Sequence, residues 1–361
     1  MKIALVHDFL MQDGGAEKVL EALQEAFPEA PTFTLFYDKT RVPQFAKKDI
    51  RTSFLERFPF WKQKYQWYLP LMPTATESYD LHAYDVVISS TSAFAKGILT
   101  REDAVHICYC HTPTRFLWTD SKSYIKELRL PGFVKALLLP LMTWLRVWDH
   151  TAAHRVDKFV ANSKTVEQRI KKFYNRPADV IHPPVDIQTF HPVSGERKAF
   201  LSGGRLVPYK RIDLVIEAAN RTGLPLIVFG TGPEEAALKA KAKSNVTFVG
   251  KVSDEKLAEL YASSLAFIHP QEEDFGITPV EAMACGTPVI AYKKGGATET
   301  VIDGVTGLFF DEPSWEALAD AMIRFRAEQF DATAIRTHAE TFSRERFIKE
   351  IRAYVDASTC S

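Results

Sequence analysis

The chain alternates short apolar runs with helix-like segments, and this alternation occurs twice along its 361 residues. The runs are rich in β-branched residues and bounded by turn residues, which indicates buried parallel strands. In the first half the predicted strands are 3–7, 85–89, 105–109, 158–161 and 179–181. In the second half they are 200–202, 226–229, 246–249, 265–269 and 289–292, separated by predicted helices near 212–221, 234–243, 255–263 and 279–285. The pattern predicts an α/β protein with two doubly wound, Rossmann-like sheets, whose ligands bind at the carboxyl ends of the strands in a cleft between the two domains.

Prolines mark the boundary between the two halves. Pro183 and Pro184 are consecutive and exclude helix, and a further proline follows at 192. We therefore expect an N-terminal domain over 1–184 and a C-terminal domain over 185–342. Residues 343–361 are expected to form a terminal helix. Its apolar residues at 347, 348, 351 and 355 have a spacing that allows packing on either domain, including a return to the first.

Charge is balanced over the chain but not within its halves. Lys and Arg number 45 and so do Asp and Glu, and the lack of a basic excess argues against a nucleic-acid binder. Residues 1–182 carry 25 basic and 20 acidic side chains, whereas 183–361 carry 20 and 25. The first half is therefore the one expected to approach an anionic surface.

The cysteines and the N-terminal run both favour a reducing, cytoplasmic location. The apolar run after Lys2 is too short for a signal peptide and is interrupted by Asp8. Cys108, Cys110, Cys285 and Cys360 lack the C-x-x-C spacing of a zinc site, so we expect structural thiols.

Two segments combine aromatic, apolar and basic side chains. Residues 54–73 contain three Phe, two Trp and two Tyr with Arg57, Lys62 and Lys64, and residues 133–148 form a second apolar run. Neither is long enough to span a bilayer. Aromatic and basic neighbours suit the surface of an anionic membrane, and the alternative is a buried helix with a solvated rim.

The sharpest candidate site is the segment from Glu273 to Glu281. Thr278 followed by Pro279 predicts the N-cap and first position of a helix at the end of a strand. Free backbone amides at Gly276, Ile277 and Thr278 would then form an anion site. Glu281 has the capping-box spacing from Thr278, which is the structural alternative to a binding role, but capping explains neither Glu273 nor the glycine.

Two cations follow the first strand of the second half. Arg205 and Lys210 lie on a Gly- and Pro-containing loop, where they could neutralise a diphosphate without a metal ion. The chain contains no D-x-D sequence that would hold such a metal. Solvated loop charge is the alternative, and the strand-end position favours the binding role.

The first half offers weaker candidates at two strand ends. Gly14 and Gly15 follow the first strand and precede a helix predicted to begin near Ala16, so the backbone there can approach a phosphate or a sugar. His111 follows the strand at 105–109, and its strand-end position makes a functional role as plausible as a structural one.

The sequence lacks the motifs of two other enzyme classes. A dinucleotide-dependent dehydrogenase would need G-x-G-x-x-G, and a serine hydrolase of the nucleophile-elbow type would need G-x-S-x-G, and the sequence contains neither.

The motifs taken together resemble those of retaining glycosyltransferases of family 4, which have the two-domain GT-B fold. The residues that carry the resemblance are E-x7-E at 273–281, G-x-P-V at 286–289, G-R-L-V-x-x-K at 204–210, G-T-G-P at 230–233, P-P-V-D at 183–186 and G-G-x-x-E at 295–299. In the first half, G-G-A-E-K and Y-C-H-T-P-x-R-F-L-W are similar to sequences of bacterial mannosyltransferases that assemble lipid-linked polysaccharide units.

The resemblance implies that 1–184 is the acceptor-side domain and 185–342 the nucleotide-sugar-binding domain. It also implies a role for each candidate residue. Arg205 and Lys210 would hold the donor diphosphate, Glu281 the ribose and Glu273 the transferred sugar. His111 would contact that sugar near its 6-hydroxyl, and Gly14 and Gly15 would close on the phosphates. The base would lie against the residues Gly250, Lys251 and Val252. Arg211 stands where the family often has glycine, and it either adds charge for the phosphates or faces solvent.

The resemblance also implies an activity. It is metal-independent transfer of a hexose with retention of configuration, most directly mannose from GDP-mannose to a lipid-linked or polysaccharide-precursor acceptor, without a further cofactor. Attack would occur on the face that the diphosphate leaves, and the leaving phosphate would accept the acceptor's proton. Such an enzyme would lie in the cytoplasm, peripherally bound to the inner face of the membrane. The open alternatives are a UDP-glucose or UDP-N-acetylglucosamine donor and a non-catalytic sugar-nucleotide binding protein.

Overall fold

Two parallel β-sheets organise the chain in the computed structural model, which describes residues 1–121, 125, 131–193 and 195–359 without the side chains at 133, 134 and 137. The chain divides into two compact units. The first unit comprises Met1–His182 and the chain from Phe347 onward, and the second comprises Pro183–Arg346.

The first unit contains a seven-stranded sheet with the order β3-β2-β1-β4-β5-β6-β7. All neighbouring strands in this sheet are parallel. The strands are β1 (Ile3–His7), β2 (Thr32–Thr34), β3 (Ile50–Thr52), β4 (Val86–Thr91), β5 (Val105–Cys110), β6 (Lys158–Ala161) and β7 (Asp179–Val180). The described α-helices of the first unit, apart from the terminal one, are α1 (Gly15–Ala26), α2 (Trp61–Lys64), α3 (Met72–Glu77), α4 (Gly132–Ala153) and α5 (Lys164–Tyr174).

The second unit contains a six-stranded parallel sheet with the order β10-β9-β8-β11-β12-β13. Its strands are β8 (Ala199–Gly203), β9 (Leu226–Phe229), β10 (Val246–Gly250), β11 (Ser264–His269), β12 (Val289–Tyr292) and β13 (Gly307–Phe310). The remaining helices are α6 (Ile212–Thr222), α7 (Glu235–Lys241), α8 (Asp254–Ala262), α9 (Ile277–Ala284), α10 (Ala297–Thr300), α11 (Trp315–Arg324), α12 (Ala332–Glu340) and the terminal α13 (Arg344–Thr359). Short 3₁₀ helices occur at Pro43–Phe45, Phe54–Arg57, Tyr65–Leu71, Ala95–Gly97, Pro208–Lys210 and Ala327–Gln329.

Both faces of each sheet are covered, because successive strand residues point to opposite sides. In β1, Leu5 packs in a core that also contains residues of α1 and of α13, including Ile351. Its neighbours Ala4 and Val6 pack in a separate core on the other face. The continuous apolar runs of the sequence are therefore buried strands of doubly covered sheets.

Each sheet has a point where the strand order reverses. In the first unit the chain builds outward from β1 through β2 to β3 and then returns to place β4 on the other side of β1. In the second unit the same reversal separates β8 from β11. In open α/β sheets the crevice beyond the strand ends at this reversal is the usual ligand site.

The strand predictions are largely confirmed. Strands 3–7, 158–161, 226–229 and 289–292 have the predicted bounds, and the other predicted strands differ by one to three residues at their ends. The prediction missed β2, β3 and β13. The first two are three residues long and contain threonines in place of an apolar run; β3 is the edge strand of its sheet and β2 lies next to it.

The aromatic and basic segment 54–73 is partly core and partly surface. Trp61 stacks on the buried Phe36 with ring centroids 6.0 Å apart, whereas Trp67 is 66% exposed with the Lys64 ammonium 5.5 Å from its ring centroid. On α4, Leu139, Trp144 and Val147 are exposed by 56%, 47% and 63%. Trp61 therefore fits the alternative of a buried segment, whereas contact of the exposed side chains with a membrane stays a prediction. Part of the expected surface, at 133, 134 and 137, lies outside the described side chains.

No helix within the described part of the chain is long and apolar enough to cross a membrane. Cys108, Cys110 and Cys285 are buried free thiols, and Cys360 lies outside the described residues.

Candidate functional site

The loop after β8 is fastened to the loop after β9 by backbone hydrogen bonds. The amide of Gly204 donates to the carbonyl of Phe229 at 3.1 Å, and the amide of Leu206 donates to the carbonyl of Thr231 at 2.9 Å. Gly230 has a φ of +99°, and a Cβ there would lie 1.7 Å from the carbonyl oxygen of Gly204. Only glycine allows this approach, which explains the G-T-G-P sequence and fixes the loop that carries Arg205 and Lys210.

The structure brings Lys210 and Glu273 together. Lys210 follows β8 and Glu273 follows β11, and the Lys210 Nζ donates to Oε1 of Glu273 although 63 residues separate them. The two side chains are only 14% and 17% exposed. The sequence predicted both as site residues but did not predict their ion pair.

Electrostatics keep the Glu273 carboxylate ionised. Burial alone would raise the pKa of this carboxyl, but the Lys210 ammonium, His269 and hydrogen bonds from Lys210 and Gln271 lower the pKa to about 2. Glu273 is therefore a hydrogen-bond acceptor near neutral pH and cannot act as a proton donor there.

Arg205 is more exposed than Lys210. Its guanidinium donates to the hydroxyl of Tyr209 at 2.9 Å, and Tyr209 is itself 45% exposed. Arg211 pairs with Asp213 at 3.4 Å and has a φ of +51°. Glycine adopts this left-handed backbone without strain, whereas a residue with a side chain, such as Arg211, is strained there.

The start of α9 corrects one prediction. The helix begins at Ile277, and its N-cap is Gly276, with a φ of +86° and no side-chain capping hydrogen bond. The predicted N-cap at Thr278, and with it the capping-box partner role of Glu281, is wrong, because Thr278 already lies inside the helix. Pro279 remains compatible with the first turn, where backbone N–H groups have no helical partner.

His269, the last residue of β11, lies under this helix start and was missed by the sequence analysis. It is fully buried, and its Nε2 makes no hydrogen bond among the described residues. Its Nδ1 lies 3.1 Å from Nε2 of Gln271, and its Nε2 lies 3.9 Å from Oε2 of Glu273. Burial and the Lys210 charge lower the pKa of His269 to about 4 despite the opposing effect of Glu273, so the ring is neutral near pH 7. The signal that could have found it was its position at the end of a strand next to the sheet reversal.

Gly295 and Gly296, which follow β12, contact the backbone of the loop that carries Glu273. The amide of Gly296 donates to the carbonyl of Glu273 at 2.8 Å, and Glu273 forms an isolated parallel bridge with Gly295. A Cβ at Gly296 would lie 2.3 Å from Cα of Phe275. The G-G-x-x-E sequence therefore supports the E-x7-E sequence by close backbone packing.

Four further predicted residues lie on other elements of the second unit. Glu281 on α9 is 5% exposed, and its carboxylate contributes, after burial, to raising the pKa of the neighbouring Tyr261 well above its ordinary value. At the end of β10, Gly250 accepts a 2.6 Å hydrogen bond from Gly230, and Lys251 is exposed while Val252 is partly buried.

In the first unit, Asp8 occupies the sheet reversal between β1 and β4. Its carboxylate accepts hydrogen bonds from four consecutive backbone amides after β4, those of 92, 93, 94 and 95, at 2.6 to 2.9 Å. The hydroxyl of Thr91 adds a fifth at 3.1 Å. This nest of amides is a typical anion site, and the protein fills it with its own carboxylate.

His111 lies beside that nest and is buried, with 9% exposure. Its Nε2 is 2.8 Å from Oγ of Ser90, and burial together with His7 lowers its pKa to about 3. Gly14 is the extended N-cap of α1, which begins at Gly15, one residue before the predicted start. A Cβ at Gly14 would lie 3.1 Å from Oε2 of the buried Glu17.

Lys96, in the segment after β4, and Asp149 of α4 form an ion pair at 2.5 Å with both side chains 1% exposed. Asp149 also accepts hydrogen bonds from Thr114 at 2.6 Å, from the Trp118 indole at 2.8 Å and from the Tyr174 hydroxyl at 2.8 Å. Every donor in this cluster has a partner. The cluster therefore ties α4 to the segment that follows His111 and gives Thr114 and Trp118 of Y-C-H-T-P-x-R-F-L-W a structural role.

No group of three His, Cys, Asp or Glu side chains in the described ranges is arranged to hold a metal ion.

Two family models match successive parts of the chain. The model described as Glycosyltransferase Family 4 matches residues 13–189, and the model described as Glycosyl transferases group 1 matches residues 186–345. The chain carries both of these glycosyltransferase domains. Their junction falls at the proline-rich boundary near Pro183.

Curated relatives share part of this sequence. The chain is 29% identical over 228 residues to a D-inositol 3-phosphate glycosyltransferase of Mycobacterium sp. (strain KMS), covering 55% of this chain and 51% of that protein. It is 32% identical over 239 residues to the protein of the same description from Mycobacterium marinum, covering 57% of this chain and 50% of that one. The chain thus spans about half the length of the curated relatives that it matches.

Solved structures match over nearly the whole chain. The Anabaena protein HepE, in complex with UDP-glucose, has a TM-score of 0.74 at 19% identity and covers 99% of this chain and 100% of that one. Sucrose-phosphate synthase from Thermosynechococcus elongatus has a TM-score of 0.76 at 18% identity, with 99% and 100% covered. At these identities the likeness concerns the fold, and the predicted GT-B fold class with two doubly wound domains is confirmed.

Proposed function

We propose that this chain is a retaining hexosyltransferase that moves a sugar from a nucleoside diphosphate sugar to an acceptor hydroxyl without a metal ion. The observation that carries the proposal is the largely buried Lys210–Glu273 ion pair at the reversal between β8 and β11, beside the start of α9. One ammonium, one carboxylate and a helix N-terminus at a single sheet edge suit a ligand with an anionic diphosphate next to a hydroxyl-rich sugar.

The catalytic contribution of this edge is stabilisation of the leaving group. When the bond between the anomeric carbon and the phosphate oxygen breaks, its electron pair goes to the departing diphosphate. Lys210 and Arg205 would neutralise the added charge, and the amides at the start of α9 would contribute partial positive charge. The acceptor hydroxyl attacks the same face, and its proton passes to the leaving phosphate oxygen, so no side chain needs to be a covalent nucleophile.

Glu273 has a different part in this proposal. Its carboxylate stays ionised because its pKa is lowered to about 2, and it is suited to accept hydrogen bonds from sugar hydroxyls. The Lys210 ammonium has three donors, so it can hold Glu273 and a phosphate oxygen at once. The ion pair would therefore fix the sugar and the diphosphate relative to each other. Glu281 and residues 250–252 are proposed to contact the ribose and the base.

Two donor classes are proposed for the test. The motif resemblance favours GDP-mannose, whereas the Anabaena neighbour was solved with UDP-glucose, which favours a UDP-sugar. The proposed acceptor is a lipid-linked or polysaccharide-precursor saccharide at the inner membrane face. This proposal is supported by the exposed apolar side chains of α4 and by the net charge of +5 in residues 1–182.

The first experiment identifies the donor. Thermal unfolding is measured with GDP, GDP-mannose, UDP, UDP-glucose and UDP-N-acetylglucosamine, each with and without EDTA. A bound ligand at about 100 times its Kd adds about 2.7 kcal/mol to stability, enough to move the midpoint by several degrees. Stabilisation by one base only assigns the donor, and stabilisation that EDTA abolishes and magnesium restores would contradict the metal-independent mechanism.

The second experiment tests catalysis with a matched pair of lysine variants. Lys210→Ala is expected to lower kcat by about 100-fold or more, the effect of losing one transition-state donor. Lys239→Ala breaks an exposed ion pair with Glu235 in the same unit and is expected to leave kcat unchanged. A near-wild-type rate for Lys210→Ala would remove the diphosphate assignment, and a chain that binds a nucleotide sugar but never transfers or hydrolyses it would be a binding protein.

A further inference from the structure

Four buried polar side chains form a line across the carboxyl ends of β1, β4 and β5. Oε1 of Glu17 lies 3.8 Å from Nε2 of His7, and Nδ1 of His7 lies 3.1 Å from Oγ of Ser90. The same Ser90 oxygen lies 2.8 Å from Nε2 of His111. Their exposures are 4% for Glu17, 3% for His7, 0% for Ser90 and 9% for His111. Solvent therefore does not compete for these contacts.

The hydrogen bonds along this line have one consistent direction. A neutral imidazole carries a single proton, and a carboxylate can only accept. At 3.8 Å the Glu17 carboxylate makes no hydrogen bond to His7, but its negative charge favours the proton of a neutral His7 on Nε2, the nitrogen that faces it. Nδ1 of His7 is then a lone pair and accepts the Ser90 hydroxyl proton.

The direction continues to His111. Ser90 has one hydroxyl proton, and once it is donated to His7 the Ser90 oxygen can only accept from Nε2 of His111. The low pKa of His111, about 3 as a result of burial and of His7, keeps its ring neutral. Its Nδ1 then carries no proton, and among the described residues nothing hydrogen-bonds to that nitrogen.

We propose that Glu17, His7 and Ser90 are positioning residues that hold His111 in its Nε2–H tautomer, so that Nδ1 presents an acceptor to a hydroxyl group of a ligand. That the hydroxyl belongs to the transferred sugar rests on the proposed function. With the opposite tautomer His111 would present a donor and would select an acceptor group such as a phosphate or carbonyl oxygen. The line therefore determines whether His111 binds a hydroxyl group or a phosphate or carbonyl oxygen of the ligand.

The strand β4 supplies a matched control. Ser89, the residue before Ser90, makes a hydrogen bond of the same length, 2.8 Å, to Nε2 of His106 and is equally buried. Ser89→Ala and Ser90→Ala therefore remove the same kind of buried serine–histidine contact from adjacent positions. Only Ser90→Ala interrupts the line to His111.

The deciding measurement is nitrogen NMR of the full chain labelled at histidine, at about pH 8, above the ordinary titration range of histidine. The His111 signals are assigned with His111→Gln. We expect Nε2 protonated and Nδ1 unprotonated in the wild type and in Ser89→Ala, and a mixture of tautomers in Ser90→Ala. A wild-type His111 protonated at Nδ1, or an unchanged tautomer in Ser90→Ala, overturns the proposal. If Ser90→Ala does not fold, Glu17→Ala is measured instead and is expected to give the same mixture.

Kinetics then test the link to sugar transfer. With the donor identified above, Ser90→Ala is expected to lower kcat about tenfold, the effect of misplacing one group that contacts the substrate, with KM for the donor changed less than about threefold. Ser89→Ala is expected to stay within about twofold of wild type in both. Equal effects of the two variants would overturn the positioning role. If no donor is transferred at all, the proposed function fails, and the NMR result still decides whether the line holds His111.

Discussion

Lys210 and Glu273 show how one residue's environment sets the role of another. Separately, each could be solvated loop charge, and the sequence gives no measure of how far apart loops after β8 and β11 lie. In the fold they form a largely buried ion pair, and the lysine, together with His269 and Gln271, lowers the pKa of the carboxyl to about 2. Removing one partner of such a pair leaves the other charge buried and unpaired, which is costly. The pair therefore explains why these two residue types occur together.

Arg211 has a strained backbone conformation. Its φ of +51° places an arginine in the left-handed region, which costs about 1–2 kcal/mol for a residue with a side chain. Its ion pair with Asp213 is partly exposed and offsets little of this strain.

We therefore expect Arg211→Gly to be more stable than Arg211→Ala by about 0.5–1 kcal/mol, since relief of strain exceeds the added flexibility of the unfolded chain. Urea unfolding of the two variants measures the difference. As a control, Ala237→Gly on the exposed side of α7 should lose up to about 1 kcal/mol, the usual sign for glycine in a helix. A glycine variant less stable than the alanine variant at position 211 would contradict this account.

At the scale of elements, the apolar pattern of the sequence predicts the central strands of each sheet. It does not predict the strands near a sheet edge or the start of a helix. A buried strand such as β12 is apolar on both faces, and this leaves a clear signal in the sequence. The edge strand β3 and its neighbour β2 are only three residues long and contain threonine or arginine, so composition alone does not separate them from loops. The start of α9 was misplaced because Gly276 replaces a capping side chain with a left-handed turn, which residue preferences do not reveal. The same limit applies to His269 and Ser90, whose roles come from contacts between strands.

Helix α4 carries a prediction at this scale. Its buried side includes Met142 and Leu145, and its exposed side presents Leu139, Trp144 and Val147 without a charged residue between them on that face. Such a face is suited to contact with the headgroup region of a membrane.

Binding to vesicles that contain anionic lipid should depend on this face. Changing Trp144 and Val147 together to Ser is expected to lower the bound fraction about tenfold in a flotation assay, because each buried apolar side chain contributes about 1.5–3 kcal/mol when fully desolvated. Ile323→Ser removes a 58% exposed apolar side chain from α11 of the second unit and serves as control. Equal binding of both variants would count against α4 as the membrane face. Trp61 is unsuitable for this test because it stacks on Phe36.

At the scale of the whole molecule, three buried histidines couple stability to pH. Burial lowers the pKa of His106 and His111 from 6.5 to about 3 and that of His269 to about 4. Below about pH 6.5 the unfolded chain therefore binds protons at these sites that the folded chain does not, so stability is full above that pH and falls as the pH drops toward 4. Each site contributes up to about 1.4 kcal/mol per pH unit in its window.

The first unit contains two of these histidines and the second contains one. Hydrogen exchange followed by mass spectrometry at about pH 7.5 and 5.5, corrected for intrinsic rates, should show a larger loss of protection in the first unit. His106→Asn should reduce the loss in the first unit and leave the second as an internal reference. A larger loss in the second unit would show that other groups dominate the acid response.

Helix α13 closes the first unit from the far end of the chain. Its residues Phe347, Ile351 and Val355 are fully buried in the same core as Leu5 of β1, about 350 positions earlier. During synthesis the first unit therefore leaves the ribosome with part of its apolar core uncovered. The second unit is one continuous segment, Pro183–Arg346, and every residue that it needs emerges before Val355 does. The half of the protein that is translated first is thus the half that can finish folding last.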